Sequence, residues 1–336
     1  MKSILLVSFV LLSSAWAQNR KIVVTAMPPS AIQELSKASP RVTVVAAESG
    51  AKLLEQVADA DAIFGTINPA LFRAAKKLKW VQVYSAGVET YRFPEFLNSD
   101  VVLTNAKIIQ GPNIADHALS MLLALTRGMH HFIPERTKEQ WAARDDRGRY
   151  GLIELRGKTA VIIGVGGIGS QIAQRAHAFG MRVIGVDPKE MPITQYVQRM
   201  VFPDRLDTVL PEADVVFVSA PHTPQSENMM GPRQFEMLKK GSYFIAVSRG
   251  KLYDTGALVK ALDSKQLAGA GLDVTNPEPL PAGHALWKFE NVIITPHVAG
   301  QSDRVQDRRM ELLKQNIQRF VAGEPMLNVV DKVKGY

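Results

Sequence analysis

A glycine-rich turn in the middle of the chain constrains the fold more than any other feature. An apolar run at residues 159–163 leads directly into the sequence GVGGIG at residues 164–169. In a strand–turn–helix of this kind Gly164 permits the tight turn, Gly166 lets the backbone approach a pyrophosphate, and Gly169 lets helix and strand pack closely. The segment therefore predicts a dinucleotide-binding unit, and the alternative is a glycine-rich turn in another kind of α/β domain.

The continuation of this segment supports the same interpretation. An amphipathic helix is predicted at residues 168–179, and its N-terminus would offer free N–H groups and a positive dipole end to phosphates. A second apolar run then ends at Asp187, whose carboxylate can accept hydrogen bonds from a ribose diol. That carboxylate would repel the 2′-phosphate of NADP, although Lys189 softens the exclusion. We therefore expect NAD as the cofactor, with NADP as the alternative.

Composition agrees with a soluble enzyme of about two domains. The chain has 336 residues and a formal net charge of +8, which suits anionic substrates and cofactors. The cationic residues are spread along the chain and do not alternate with aromatic residues, so no nucleic-acid partner is predicted. Because the sequence contains no cysteine, disulfides and thiolate metal sites are excluded, and no other metal site is predicted.

The first residues resemble a targeting signal rather than part of the fold. Lys2 precedes an apolar run at residues 4–12, and Ala15, Trp16 and Ala17 form a small-x-small cleavage site before Gln18. The apolar run is too short to span a membrane, so no stable membrane anchor is expected. We predict a signal peptide at residues 1–17 and an exported protein, periplasmic or secreted. The alternative is a cytoplasmic protein in which this run is a core strand.

The rest of the chain alternates short apolar strands with amphipathic helices, which predicts mostly parallel sheets covered by helices. In the first part we predict strands at residues 22–26, 42–46, 62–65, 80–84 and 101–103, and helices at 31–38, 51–57 and 69–77. In the second part we predict strands at residues 159–163, 182–186, 215–219, 243–247, 268–273 and 292–295. A long apolar helix at 114–128 would be buried or face another subunit, and a final helix is predicted at 302–321. Residues 188–203 look like the most irregular connection.

Three predicted strand ends in the second part carry polar residues, and ligands of such sheets bind beyond the carboxyl ends of strands. Ser248 and Arg249 follow one strand, Asp273 and Glu278 follow the next, and His297 follows the third. Arginine can bind a carboxylate with two hydrogen bonds, and histidine can exchange a proton near neutral pH. A carboxylate beside the imidazole would orient it and favour its charged form. Taken singly, the three could be a surface ion pair, a loop cap and a structural histidine; together they predict a catalytic set.

At these residues the chain resembles the D-isomer-specific 2-hydroxyacid dehydrogenases over nearly all of its length after the signal. The motifs that carry the resemblance are GVGGIG from Gly164, APHTPQSEN from Ala220, VSRG from Val247, GLDVTNPEPL from Gly271 and TPHVAG from Thr295. The resemblance implies two Rossmann-like or flavodoxin-like domains with the active site in the cleft between them. It implies a substrate domain at residues 18–107, completed by residues 301–336, and an NAD-binding domain at residues 108–300.

The resemblance also implies individual roles. Arg249, Glu278 and His297 match the catalytic residues, with His297 as general acid or base, Glu278 as its partner and Arg249 as the substrate anchor. The remaining matches are cofactor contacts at Gly164, Gly166, Gly167, Ile168, Gly169, Asp187, Ala220, Pro221, Ser248 and Asp273, and a substrate-carboxylate loop at Ser85, Ala86, Gly87 and Val88. The implied reaction interconverts a small 2-keto acid and a D-2-hydroxy acid in a homodimer whose contact includes the helix with Ala115, Asp116, His117 and Ala118.

Other residues carry weaker expectations. Trp287 could contribute to the substrate pocket or only to packing, and Asn105 lies near the crossover between the domains. His222, His130 and His131 are expected to be structural, with the tandem pair projecting from different helix faces. Export is unusual for this family, which leaves a non-catalytic NAD(H)-liganded regulatory protein of the same fold as the alternative function. Glu278 separates the chain from formate dehydrogenases, which pair the histidine with glutamine.

Overall fold

The computed structural model describes residues 19–139, 141, 151–190 and 194–336. The predicted signal peptide lies outside these residues. The chain divides into two compact units, one containing residues 19–107 and 303–336, and the other the described residues between 108 and 302. Among the described helices, none has the length and apolar character needed to cross a membrane.

The first unit is built on a five-stranded parallel sheet. Its strands are β1 (Arg20–Val24), β2 (Val42–Ala46), β3 (Ala62–Phe64), β4 (Trp80–Gln82) and β5 (Val102–Thr104). They pair in the order β2-β1-β3-β4-β5, which is the flavodoxin-like order. The connecting helices are α1 (Pro29–Ser36), α2 (Ala51–Val57), α3 (Pro69–Ala74) and α4 (Pro94–Leu97).

Each face of this sheet carries its own apolar cluster because the strands are covered on both sides. Trp80 is fully buried, and its indole N–H donates to Thr104 Oγ1 at 2.7 Å, which satisfies the one polar group of that side chain. The last helix of the chain, Val305–Ala322, contributes Leu313 and Ile317 to the same cluster and ends at Gly323, which has a φ of 74°. The C-terminal segment is therefore an integral part of the first unit.

The second unit is built on a seven-stranded parallel sheet. Its strands are β6 (Thr159–Ile163), β7 (Arg182–Val186), β8 (Arg199–Val201), β9 (Val215–Val218), β10 (Ser242–Ala246), β11 (Leu267–Leu272) and β12 (Val292–Ile294). Its helices are α5 (Gly111–Thr126), α6 (Met129–Arg136), α7 (Gly169–Ala178), α8 (Leu206–Val209), α9 (Pro232–Met237) and α10 (Thr255–Asp263). The final helix of the chain is accordingly α11.

The strand order of this sheet is β12-β11-β10-β9-β6-β7-β8. Read from β8, this is the dinucleotide-binding order 3-2-1-4-5-6 with one further strand. The order reverses between β6 and β9, and such a switch point is where ligands bind in open α/β sheets. The glycine turn follows β6 and Ala220 follows β9, so both lie at the switch point.

Two sequence predictions can be compared with the fold: the irregular connection at residues 188–203 and the long apolar helix. Strand β8 lies near the end of residues 188–203, which we predicted to be the most irregular connection; the strand was not predicted because a three-residue edge strand shows no clear hydrophobic period. The long apolar helix is α5, and its side chains Ala115, Ala118, Leu119, Leu122 and Leu125 are all buried within the unit. Burial in the core is therefore observed for these five residues, whereas Leu123 is only partly buried, and contact of this helix with another subunit stays a prediction.

Candidate active site

The glycine turn after β6 is shaped by close backbone approaches. Gly164 has a φ of 86°, and a Cβ atom on it would lie 2.5 Å from the backbone N and Cα of Ala220. A Cβ atom on Gly169 would lie 1.9 Å from the carbonyl oxygen of Gly164, so helix α7 can begin here only on a glycine. Ser219, just before Ala220, adds a hydrogen bond from its hydroxyl to the Gly164 carbonyl at 2.7 Å.

The same turn leaves space for a phosphate group. A Cβ atom on Gly166 would meet no described atom within 4 Å, whereas Gly167 packs against Ile108. Ile168 is the N-cap residue of α7 and supplies no side-chain cap, so N–H groups of the first helical turn remain available to an anion. The open glycine and the uncapped helix N-terminus fit the pyrophosphate of NAD(P).

Asp187 follows β7 and is half-buried beside this turn. Its Oδ2 accepts from the backbone N–H of Val165 at 2.9 Å, and its Oδ1 accepts from that of Lys189 at 2.9 Å. An ionised carboxylate has about four lone-pair sites, so each oxygen keeps one site for a further donor. Asp187 therefore supports the glycine turn and can still accept a hydrogen bond from a ribose hydroxyl.

The loop after β9 continues from Ala220 to Pro221. The Pro221 carbonyl accepts from the Ser226 hydroxyl at 2.8 Å, and the Ser226 hydroxyl in turn accepts from the Thr223 backbone N–H at 2.8 Å. These bonds shape the loop that lies beside the glycine turn. His222 is only partly exposed, and its Nε2 lies 3.5 Å from Glu227 Oε2.

Arg249 stands beyond the end of β10. Ser248 is buried and donates from its hydroxyl to the Val218 carbonyl at 3.3 Å, while Arg249 Nη1 donates to the Ser248 carbonyl at 2.7 Å. The backbone of Gly250 packs against Thr275, since a Cβ atom on that glycine would lie 2.0 Å from the Thr275 carbonyl oxygen. This close approach holds the Arg249 segment against the loop that follows β11.

Glu278 and His297 form a direct pair beyond β11 and β12. His297 Nδ1 lies 2.6 Å from Glu278 Oε1, and Glu278 Oε2 accepts from the Thr275 N–H at 3.3 Å. Because an ionised carboxylate can only accept, Nδ1 carries the hydrogen, and Nε2 is the ring nitrogen that gains or loses a proton. Both side chains are about two-fifths exposed, so the pair is accessible to a small molecule.

Asp273 occupies the centre of the same loop cluster and is 2% exposed. Its Oδ1 accepts from the Thr295 hydroxyl at 2.6 Å and the Val298 N–H at 2.9 Å, and its Oδ2 accepts from the Ala299 N–H at 3.0 Å. Strands β10, β11 and β12 are parallel neighbours in the sheet. The loops that carry Arg249, Asp273, Glu278 and His297 therefore all start at the carboxyl end of this sheet.

The predicted carboxylate loop lies in the first unit, between β4 and β5. Ser85 Oγ donates to the Gly87 carbonyl at 2.6 Å, and Asn105 Nδ2 donates to the Ala86 carbonyl at 2.6 Å. Val88 is buried and anchors the end of the loop. Within the described residues, the N–H groups of Ala86, Gly87 and Val88 donate to no protein acceptor, so the loop can bind an anion.

The remaining candidates have ordinary environments. Trp287 is about half exposed, and its indole N–H donates to the Pro281 carbonyl at 2.9 Å. The prediction that His130 and His131 project from different faces was wrong, because their ring centroids are 3.9 Å apart. His130 turns back to the Ala124 carbonyl at 3.0 Å, across the left-handed Gly128 that separates α5 from α6.

Sequence reasoning overlooked two contacts made by α5. His117 Nε2 lies 2.9 Å from Thr295 Oγ1, and Asn113 Nδ2 donates to the Ala299 carbonyl at 2.7 Å. Both α5 residues precede the loop that they contact by more than 170 positions, so local pattern could not reveal either contact. The only available signal was the spacing of Asn113 and His117, which places them on one face of a helix.

Comparisons with known proteins agree with this geometry. Residues 119–299 match the D-isomer specific 2-hydroxyacid dehydrogenase, NAD binding domain. A glyoxylate reductase of Thermofilum pendens is 31% identical, over 84% of this chain and 84% of the relative.

Two solved structures have the same fold. The D-isomer specific 2-hydroxyacid dehydrogenase from Xanthobacter autotrophicus Py2, in complex with NADPH and MES, has a TM-score of 0.80 at 26% identity, covering 95% of this chain and 100% of that one. The NADPH-dependent glyoxylate/hydroxypyruvate reductase from Sinorhizobium meliloti, in complex with NADP and sulfate, has a TM-score of 0.78 at 26% identity, covering 94% and 100%. By this family match and these relatives, the chain belongs to the D-isomer specific 2-hydroxyacid dehydrogenase family and carries its NAD(P)-binding fold.

Proposed function

We propose that the protein interconverts a small 2-keto acid and a D-2-hydroxy acid, with His297 as general acid and base, Glu278 as its partner and Arg249 as the substrate anchor. The observation that carries the proposal is the 2.6 Å contact between His297 Nδ1 and Glu278 Oε1. This pair lies beyond the carboxyl end of the sheet, as Arg249 does. A regulatory protein that only bound the dinucleotide would have no need of this oriented proton donor.

The roles follow from the donor atoms. Bound NAD(P)H supplies the hydride that reduces the keto carbon. His297 carries its hydrogen to Glu278 on Nδ1 and therefore presents Nε2 to the substrate oxygen, which it protonates during reduction and deprotonates during oxidation. The Glu278 carboxylate stabilises the charged imidazole while its other oxygen is held by the Thr275 N–H.

The Arg249 guanidinium would hold the substrate: it can bind a carboxylate oxygen and the keto oxygen together, which positions the acid and polarises its carbonyl. In the first unit, the N–H groups of Ala86, Gly87 and Val88, which have no acceptor among the described residues, are a further proposed site for a carboxylate. Glyoxylate and hydroxypyruvate are the substrates that we propose, and the names of the similar reductases support this choice.

Steady-state oxidation of NADH with a panel of 2-keto acids tests the proposed function. We expect turnover with at least one small acid, and His297→Ala should lower kcat by about 10²–10⁴-fold, the usual contribution of a positioned general acid. NADH binding, followed by fluorescence titration, should persist in this variant because the glycine turn and Asp187 hold the cofactor. Tight NADH binding without turnover on any acid would support the regulatory alternative instead.

We propose in addition that the chain forms a homodimer through the region of α6. Met129 and Ile133, one turn apart on this helix, are large apolar side chains that are 44% and 57% exposed in the single chain. Exposed apolar groups of this kind mark interfaces between proteins. Sedimentation should give a mass near twice 37.0 kDa.

A further inference from the structure

The backbone at His297 is held in a conformation that its sequence does not favour. His297 has a φ of 53°, in the left-handed region that side chains other than glycine rarely adopt. Such a residue persists only where its surroundings fix it. The groups that fix the loop at residues 295–301 therefore control where the imidazole points.

Asp273 holds this loop with both its backbone and its side chain. Its carbonyl oxygen accepts from the His297 N–H at 3.0 Å, and its carboxylate accepts from the N–H groups of Val298 and Ala299. The Thr295 hydroxyl donates a further hydrogen bond to Asp273 Oδ1 at 2.6 Å. Because the loop wraps around one buried carboxylate, the orientation of that carboxylate sets the geometry of His297.

The direction of the hydrogen bonds extends this network to α5. An ionised Asp273 can only accept, so the Thr295 hydroxyl donates its single hydrogen to Asp273. Thr295 must then accept from His117 Nε2–H across their 2.9 Å contact. The same imidazole nitrogen lies 3.7 Å from Asp273 Oδ1, and the His117 side chain is about one-quarter exposed.

Asn113 adds a second contact from the same helix face. It lies one turn before His117, and its side-chain amide donates to the carbonyls of Ala299 at 2.7 Å and Gln301 at 3.4 Å. Helix α5 thus contacts the loop on both sides of His297, at Thr295 before it and at Ala299 and Gln301 after it.

We infer that His117 is a positioning residue for the proposed reaction, which holds the imidazole of His297 in place through Thr295 and Asp273. The inference rests on the proposed function, since it assigns His117 to the same chemistry. His117 contacts Thr295 rather than His297, so its contribution is to geometry rather than to proton transfer. A small misplacement of a reacting group can cost about 10²-fold in rate, so the effect should be measurable.

The test compares two substitutions at each of two positions. His117→Phe and Thr295→Val remove the hydrogen bond while keeping side-chain size, and His117→Gln and Thr295→Ser keep a donor or hydroxyl at the same place. We expect both disruptive variants to lower kcat by about 10–10²-fold, with much smaller changes in keto-acid KM and in the Kd for NADH. Both conservative variants should stay within about threefold of the wild-type kcat, on the scale of a hydrogen bond that is retained.

A double variant that combines His117→Phe with Thr295→Val distinguishes a positioning role from a general loss of structure. If His117 acts through Thr295, the double variant should lose no more than the worse single variant, because residues in one hydrogen-bond network are not additive. The inference would be overturned if the fold-losses in kcat of the two single variants multiplied in the double variant. It would also be overturned if kcat were unchanged in His117→Phe, or if His117→Gln lost as much kcat as His117→Phe. Should His117→Phe fail to fold, the Thr295 pair provides the same comparison.

Hydrogen exchange of the wild type and variants gives a readout that does not need turnover. Amides of residues 295–301 should exchange faster in His117→Phe than in the wild type, whereas amides of β6 should be unchanged. If the wild type reduces no keto acid, the proposed function fails while the exchange result still reports on the network. Unchanged exchange in this loop would contradict the positioning role even in an active enzyme.

Discussion

At the scale of single residues, the proposed proton-transfer pair His297–Glu278 and the glycine turn with Asp187 follow different strands. The pair lies on loops after β11 and β12, while the glycine turn and Asp187 follow β6 and β7. Substitutions at the pair should therefore leave the contacts at the glycine turn and Asp187 largely intact. Measuring both kcat and the Kd for NADH on each variant tests this expectation.

Glu278→Gln should lower the reductive kcat by about 5–50-fold, less than His297→Ala, which corresponds to about 1–2.3 kcal/mol. The amide oxygen can still accept from His297 Nδ1–H, but the neutral side chain no longer stabilises the charged imidazole. The loss should therefore appear in kcat, while the Kd for NADH should stay close to that of the wild type. An unchanged kcat in this variant would show that Glu278 does not assist the proposed proton donor.

Asp187 should set the choice between the two dinucleotides. We expect NADH to bind more tightly than NADPH, and Asp187→Ala to narrow the ratio of the two Kd values, because the carboxylate repels a 2′-phosphate. The Ala variant should also bind NADH less well, since it loses the bond from the Val165 N–H. Asp187→Asn is the matched control that keeps an acceptor and removes only the charge. A wild type that prefers NADPH, as the NADPH-dependent Sinorhizobium enzyme does by name, would contradict this assignment.

At the scale of elements, apolar runs of five residues were sufficient to predict strands. Val42–Ala46, Thr159–Ile163 and Arg182–Val186 match their predicted limits. Thr159–Ile163 and Arg182–Val186 are buried over most of their length, whereas in Val42–Ala46 only Val42 is fully buried. Strand β8 was missed because a short edge strand is defined by its neighbour β7 rather than by its own pattern. The contact of α5 with the His297 loop was missed for a related reason, since it depends on how distant elements pack.

The C-terminal segment after α11 should depend on Lys332. Its ammonium donates to the carbonyls of Phe96, Ser99 and Val101, and burial lowers the pKa of this amine below its ordinary 10.5. Because Lys332→Met removes these three hydrogen bonds, it should lower the free energy of unfolding by about 1–2 kcal/mol, measured by urea denaturation. Lys334→Met is the control, because Lys334 is exposed and pairs with Asp331 only at 3.7 Å.

The pH dependence of this loss follows from the direction of the shift. Between the folded and unfolded pKa values of Lys332 the unfolded chain binds more protons, so the stability contributed by this group rises with pH in that window. The difference between wild type and Lys332→Met should therefore widen as the pH approaches 10.5 from below. If the difference in unfolding free energy between the wild type and Lys332→Met narrowed as the pH rose toward 10.5, the folded state would favour the charged amine, contrary to this prediction.

At the scale of the whole molecule, the sequence predicted two parallel-sheet units, and the two sheets confirm that fold class. Local patterns were sufficient because parallel strands buried on both faces are continuous apolar runs. The candidate catalytic set was recognisable because Arg249, Glu278 and His297 each follow such a run. The conformation of His297, with its positive φ, and the network around Asp273 were not recognisable, because both arise from contacts between segments far apart in the chain.

The last prediction concerns the whole chain in its native host. We propose that residues 1–17 are removed on export, and intact-mass measurement should find a chain that begins at Gln18. Cleavage there would leave the first unit complete, because strand β1 begins at Arg20, whose N–H donates to the Arg41 carbonyl at 2.9 Å. Fractionation should find this species outside the cytoplasm, where the folded enzyme would have to acquire its dinucleotide. A full-length chain confined to the cytoplasm would contradict the proposal, and the enzyme would then have direct access to the cellular NAD(P) pool.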